Sequence, residues 1–308
     1  MNPLRGAILA AARSTRVRRG VESVRATRRV VDRFVAGETA DDALECVHRL
    51  TGDGLLATID HLGEEVRDDA GADATVAAYA TLLEALATKD LARGADVSVK
   101  LTALGLDVDR AAARARAQRV LAAATAVGAT MTVDMEHSAL TDVTLETARE
   151  LRATDPSVAT VVQAMLRRTE ADVERLATEG ARVRLCKGAY AEDERVAFHR
   201  REDVRASYRR CLQVLMTSPC RPLVATHDPE MVTAAMELAT ATGRRADEFE
   251  VQMLLGVRPD EQRRLQGLGL TVRVYVPYGT QWWGYLMRRL AERPANLAFF
   301  ARAVASRG

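Results

Sequence analysis

The chain has 308 residues, 48% of them hydrophobic, and a formal net charge of +2. That length supports one large domain or two ordinary ones, and the near balance of charge excludes a field built for nucleic acid or for a highly acidic substrate. No apolar run approaches the ~20 residues of a membrane span, and HExxH, paired CxxC and P-loop motifs are all absent, so no metal is expected.

Residues 1–37 are the exception to the charge balance. Nine arginines (Arg5, Arg13, Arg16, Arg18, Arg19, Arg25, Arg28, Arg29, Arg33) face only Glu22 and Asp32. Ile8, Leu9, Val17, Val21, Val24, Val30, Val31 and Phe34 interleave with them. The pattern is that of a basic amphipathic helix or helix pair, which either leans on an anionic surface or packs on the rest of the fold. Arginines from Arg13 onward interrupt any secretory signal. The cysteines at 46, 186, 211 and 220 lack CxxC spacing and read as reduced, mostly buried thiols of a cytosolic protein.

From Gly54, short β-prone runs alternate with longer helical patterns. The spacing predicts strands at Leu55–Asp60, Asp96–Lys100, Thr130–Asp134, Ala159–Ala164, Arg182–Cys186, Pro222–Thr226, Phe249–Met253 and Thr271–Val276. Helices are expected at Thr75–Leu91, Arg110–Ala126, Glu170–Thr178, Glu192–Met216, Pro229–Thr242, Asp260–Leu268 and Thr280–Glu292. Repeated strand-then-helix units argue an α/β fold, a (βα)8 barrel. The doubly wound alternative normally carries a Gly-rich fingerprint, and none follows any strand. With no Pro-, Gly- or Ser-rich linker, residues 1–51 read as a helical N-terminal extension and 52–308 as the barrel.

A polar or aromatic residue stands at or beside the end of every predicted strand: Asp60, Lys100, Asp134, Gln163, Arg184 with Lys187, Thr226 with His227, Gln252 and Tyr275. A barrel would gather these at one mouth. Lys100 and Asp134 are the expected ion pair. Only three of 44 basic residues are lysines, and two of those, Lys100 and Lys187, stand at strand ends. The segment from Tyr275 to Arg289 holds both tryptophans and three of six tyrosines, then closes on two adjacent arginines. It is either packed core or a wall able to enclose a small apolar body while gripping a carboxylate. The Gly in KGAY, the hydroxyl and imidazole of Thr226 and His227, and the amides of Gln163 and Gln252 fit a flavin lying across the barrel. Arg184 is expected to point inward, where it would stabilise negative charge on such a ring.

In this order the residues resemble the proline dehydrogenase family. The matching blocks are SVK at Ser98–Lys100, VDME at Val133–Glu136, VVQA at Val161–Ala164, RLCKGAY at Arg184–Tyr190, ATHD at Ala225–Asp228 and YLMRRLAE at Tyr285–Glu292. The resemblance runs from Leu55 to about Asn296 and implies a flavoenzyme that oxidises L-proline to Δ1-pyrroline-5-carboxylate by hydride transfer to FAD, the first step of proline catabolism. It implies a distorted TIM-type barrel whose last helix lies over the mouth. The length resembles the compact monofunctional form, without an aldehyde dehydrogenase half or a DNA-binding domain.

Carried over by that resemblance, Asp134 and Arg184 would be catalytic, with Asp134 orienting the surrounding cations and Arg184 near the flavin N5. Lys100, Arg288 and Arg289 would hold the proline carboxylate, and Tyr275, Tyr285 and Leu254 would line the pyrrolidine pocket. Met135, Gln163, Lys187, Gly188, Ala189, Thr226, His227, Gln252 and Glu292 would contact FAD. A membrane quinone would accept the electrons and a separate pyrroline-5-carboxylate dehydrogenase would take the product. The protein would be cytoplasmic, peripheral at the inner face of the membrane. Ala191 departs from fused members, which often carry Trp there.

Other readings of the same residues are a hydroxyproline dehydrogenase, a Schiff-base aldolase barrel using Lys187, a flavin barrel acting on folates and a non-catalytic barrel. Bulky Tyr275 favours proline over hydroxyproline. No general base is assigned.

Overall fold

The computed structural model describes residues 31–63 and 66–292, with side chains through Arg289. Most of the arginine-rich segment, residues 1–30, lies outside them, as does the side chain of Glu292. Eight parallel strands close into a barrel in sequence order. They are β1 (Leu56–His61), β2 (Asp96–Val99), β3 (Thr130–Val133), β4 (Ala159–Gln163), β5 (Arg182–Cys186), β6 (Arg221–Ala225), β7 (Glu250–Leu254) and β8 (Val272–Tyr278). β8 pairs with β1 from Leu56↔Arg273 to His61↔Tyr278, which closes the ring.

The helices are α1 (Ala40–Gly52), α2 (Asp69–Thr88), α3 (Arg110–Ala126), α4 (Thr141–Thr154), α5 (Thr169–Thr178), α6 (Arg201–Thr217), α7 (Pro229–Thr242), α8 (Pro259–Gly267) and α9 (Trp282–Glu292). Local chemistry sets their starts. Asp68, Asp109 and Asp228 each accept a backbone N–H of the first turn, at Gly71, Ala112 and Glu230. Thr39 and Asp42 form a reciprocal capping box on α1. Along α2 the buried side chains Ala72, Val76, Tyr79, Leu83 and Leu86 recur every three or four residues, as a core-facing stripe must.

α2, expected at Thr75–Leu91, starts six residues earlier at Asp69, and two elements differ more deeply from the sequence expectation. No helix was expected between β3 and β4, yet α4 is there. Its buried face is Thr141, Thr144, Thr147, Ala148 and Leu151, so threonines occupy sites where a periodicity search looks for aliphatics. The expected helix from Glu192 starts instead at Arg201. Residues 192–200 are held as irregular backbone by Arg167 N–H donating to the Val196 carbonyl and Phe198 N–H to that of Met165. These bonds draw the segment towards the chain that follows β4.

α1 packs outside the barrel against β1 and β8, and its Ala43, Leu44, Cys46 and Val47 belong to the main core. α9 follows β8 but joins a different cluster, in which Trp282, Trp283, Tyr285, Leu286 and Met287 pack with Val31, Phe34, Val35 and Leu62. Tyr275 and Val257 lie against that cluster. Leu62 and Val257 follow the carboxyl ends of β1 and β7, so α9 sits at the mouth, as expected. The strap at 31–37 is pinned there by Ala36 N–H to the Pro277 carbonyl and Gly279 N–H to that of Gly37. Gly256 has φ +70, and a Cβ there would lie 1.9 Å from the Arg33 carbonyl oxygen, so only glycine permits this approach.

Candidate active site

Alternate residues of a strand face one side, and in this barrel the inward set is polar. Arg184 on β5 reaches across the lumen. Its Nη1 donates to Asp134 Oδ1 at 2.9 Å and Ser98 Oγ at 2.8 Å, and its Nε to Gln252 Oε1 at 2.7 Å. Nη2 lies 3.3–3.4 Å from Asp96 Oδ2, Thr132 Oγ1 and Thr58 Oγ1. One guanidinium thus ties β5 to β1, β2, β3 and β7. Arg and Lys are rarely buried unless paired, and Arg184 is 4% exposed.

Beneath it, Arg273 on β8 forms a two-pronged ion pair with Glu250 on β7, at 2.7 and 3.1 Å. Burial works against charge on Glu250, but Arg273 and Arg182 outweigh it and hold the carboxyl at about 2. Gln252 bridges the two layers, accepting from Arg184 and donating to Glu250 at 3.1 Å. Its amide is therefore engaged inside the barrel as a support for Arg184.

Above Arg184 lies the mouth. Tyr275 donates its phenolic proton to Asp134 Oδ2 at 2.9 Å, and the face of its ring meets the Arg184 guanidinium at 5.6 Å. Burial, then Asp134 and Asp60, pushes the phenol well above its ordinary range, so it stays a donor. Lys100 Nζ bonds Asp60 Oδ2 at 2.7 Å, while Asp134 Oδ2 is 3.9 Å away. The expected Lys100–Asp134 pair is thus the longer contact. Asp134 is already taken by Arg184 and Tyr275, and adjacent β1 offers Asp60 directly. Burial raises the proton affinity of Asp60, Lys100 opposes it and Asp134 reinforces it.

The far side of the mouth is lined from β4, β5 and β6. Gln163 donates to the main-chain carbonyls of Glu136 at 2.7 Å and Met135 at 3.3 Å. Its Oε1 is buried and accepts no hydrogen bond among the described residues. Gly188 has φ +96, and a Cβ there would sit 2.6 Å from Met165 Sδ and 2.9 Å from Gln163 Oε1. Lys187 Nζ pairs with Asp228 Oδ2 at 2.6 Å. Thr226 Oγ1 accepts from the Asp228 N–H at 3.1 Å. His227 Nε2 accepts from the Leu254 N–H at 2.9 Å, which leaves the ring proton on Nδ1. Cys186, at the end of β5, is a thiol pushed up to about 12 by burial, and so is no nucleophile.

α9 brings the remaining groups. Tyr285 is buried, its ring lies under the Arg289 guanidinium at 5.2 Å, and Arg288 and Arg289 are both half-buried. The charge of Arg289 is felt at Cys186, so the helix spans the mouth from β8 towards β5. Leu254 is half-buried at the end of β7. Ala189 and Tyr190 are half-buried after β5, where Tyr190 packs edge-on against His137 with ring centres 4.4 Å apart. Glu192 secures the same loop by accepting from the Ser138 N–H at 2.8 Å and from its hydroxyl.

Sequence reasoning gave no role to Asp96, Ser98, Thr58 and Thr132, which seat Arg184, or to Glu250 and Arg273 below it. Their signal is present as polar residues at every second position of β1, β2, β3, β7 and β8 (Thr58 and Asp60; Asp96 and Ser98; Thr130 and Thr132; Glu250 and Gln252; Arg273 and Tyr275), a period that a half-buried strand shows only if its inward face is polar.

A family model described as Proline dehydrogenase matches residues 43–302. Proline dehydrogenase 1 of Bacillus subtilis is 36% identical over 278 residues, covering 90% of this chain and 91% of its own length. Proline dehydrogenase of Deinococcus radiodurans is 35% identical over 280 residues, covering 89% and 90% respectively. Among solved structures, proline utilization A from Bdellovibrio bacteriovorus, inactivated by N-propargylglycine, superposes with a TM-score of 0.79 at 26% identity. That match covers 86% of this chain, which spans about a third (33%) of the larger protein.

Proposed function

The chain belongs to the proline dehydrogenase family of oxidoreductases, and from that premise we propose that it oxidises L-proline to Δ1-pyrroline-5-carboxylate with FAD as the bound acceptor. The observation that carries the reading is the placing of α9 over the mouth. Tyr285, with Arg289 over its ring, joins the cluster against which Tyr275 packs, and Tyr275 donates to Asp134, which supports a reading in which Arg288, Arg289 and Lys100 would form an anion grip beside an aromatic wall.

The residues fit a flavin. Gln163 Oε1 is a buried acceptor in want of a donor, and the backbone at Gly188 lies so close to that oxygen and to Met165 that any side chain there would clash. Met135, Gln163, Lys187, Gly188, Ala189, Thr226 and His227 would hold it, with Gln252 acting through Arg184. Glu292 belongs to the same proposal through its place on α9. When bound, FAD supplies the two-electron acceptor for the hydride.

The chain supplies position and charge. Arg288, Arg289 and Lys100 would hold the substrate carboxylate, and Tyr275, Tyr285 and Leu254 would enclose the ring, turning the carbon beside nitrogen towards the cofactor. Arg184, locked by its partners, is preorganised to meet negative charge developing at the acceptor without moving. Lys187, paired with Asp228, lacks the counter-charge-free environment that activates a Schiff-base lysine, which argues against an aldolase.

A quinone as the next acceptor and a separate dehydrogenase for the product complete the proposal. No helix among the described residues is long and apolar enough to cross a membrane. The test is anaerobic addition of L-proline to the purified, flavin-loaded protein. Bleaching of the flavin absorbance is expected, and a spectrum unchanged by proline overturns the reading.

A further inference from the structure

We propose that Asp60 is a positioning residue that acts through Lys100, its carboxylate keeping the ammonium charged and fixed at the mouth before substrate arrives. The inference rests on the functional reading above, in which Lys100 helps hold the substrate carboxylate.

Asp60 is 1% exposed and Lys100 7%. Their 2.7 Å contact is the shorter of the two that Lys100 makes to described carboxylates. Asp60 Oδ1 takes no hydrogen bond among the described residues, and the other donor that favours the charged form of this carboxylate, the Tyr275 hydroxyl, is neutral. Asp134, the other described carboxylate within 4 Å, is committed to Arg184 and to the Tyr275 hydroxyl. A buried ammonium without a counter-charge loses its proton to avoid the desolvation cost, and a neutral amine offers a carboxylate no charge. Register supports the division of labour, because Asp60 on β1 is paired with Ser98 on β2, two residues before Lys100 on the same face. The described groups facing Lys100 are Asp60 from β1, Asp134 from β3, Tyr275 from β8 and, through Asp134, Arg184 from β5, with His61 sensing the same charges from behind the strand.

The scarcity of lysine makes the test direct, since Lys89, Lys100 and Lys187 are the only three in the sequence. With 13C-labelled lysine, the side-chain carbon next to Nζ reports each titration by NMR. Lys100→Met assigns the signal, and Lys89 and Lys187 serve as internal controls. The expected result is that Asp60→Asn moves the Lys100 midpoint down by at least one pH unit and leaves the other two in place. In kinetics it raises the KM for proline about tenfold with a smaller change in kcat, and adds little once Lys100 is Met. Asp60→Glu restores most of the midpoint. An unmoved midpoint, or an equal loss of proline affinity with and without Lys100, overturns the proposal. If Asp60→Asn alone does not fold, recovery in the Asp60→Asn/Lys100→Met double variant supports the pairing, and failure of both reduces Asp60 to scaffold and overturns it. Flavin bleaching by proline in the wild type is scored separately, so a wrong substrate and a wrong role for Asp60 give different results.

Discussion

Arg184 and Asp134 meet across the barrel lumen at 2.9 Å, one from β5 and the other from just beyond β3. The pair is structural and, on the functional reading, chemical as well. Replacing Arg184 by Met leaves Asp96 and Asp134 without their shared cation, and breaking a buried pair in this way costs ~3–5 kcal/mol. The FAD-loaded variant is expected to melt lower, to lose roughly a hundred- to a thousandfold in turnover, and to show a lower flavin reduction potential. A lower melting temperature with an unchanged potential would confine Arg184 to the ion pair.

Arg288→Lys and Arg289→Lys are expected each to raise the KM for proline. An ammonium cannot make the planar two-pronged contact. Loss of one charge-assisted bond is worth ~1.5–3 kcal/mol, or roughly ten- to a hundredfold in affinity. Steady-state kinetics at fixed pH check this, and wild-type KM in both variants removes them from the carboxylate grip.

The same grip predicts ligand preference. Five-membered apolar rings bearing a carboxylate should compete with proline, whereas pyrrolidine, which lacks it, should not. Equal inhibition by the two would show that the cations hold something else.

Glu250 links stability to acid. Its carboxyl is held near 2 in the fold against a reference of 4.5, so the folded group is the stronger acid. Its contribution, on the order of 3 kcal/mol, is present above the unfolded value and is lost as pH falls towards 2. Glu250→Gln should therefore lower the melting temperature strongly at pH 7 and roughly half as much at pH 3. An equal drop at both values would mean that packing, not charge, is what the side chain supplies.

Gly188→Ala tests the cofactor cradle. At φ +96, with Met165 Sδ 2.6 Å from the added carbon, the methyl group brings both backbone strain and a clash. A loss of ~1–3 kcal/mol in stability is expected, together with a lower flavin content as purified. Full flavin occupancy would place the cofactor elsewhere.

The strands were legible because their apolar alternation is uninterrupted, and β5 falls at Arg182–Cys186, the range read from sequence. What stayed hidden has a common cause. α4 presents threonines to the core, and the lumen presents Arg, Asp and Glu, so residue types that ordinarily mark a surface lie inside. The site was legible as strand ends, but not its wiring. Sequence placed Lys100 beside Asp134, whereas register across β1 and β2 favours Asp60. The non-helical run at 192–200 depends on main-chain bonds to residues near 165, which no local pattern announces.

α1, which precedes the barrel in sequence, flanks the closing strands β1 and β8 from outside, while α9 is placed at the rim. The wall is therefore sealed by one end of the chain and the cover is supplied by the other. Among the described residues α9 contributes none to the main core cluster, so those side chains can drift towards a different guest without the vessel having to be rebuilt.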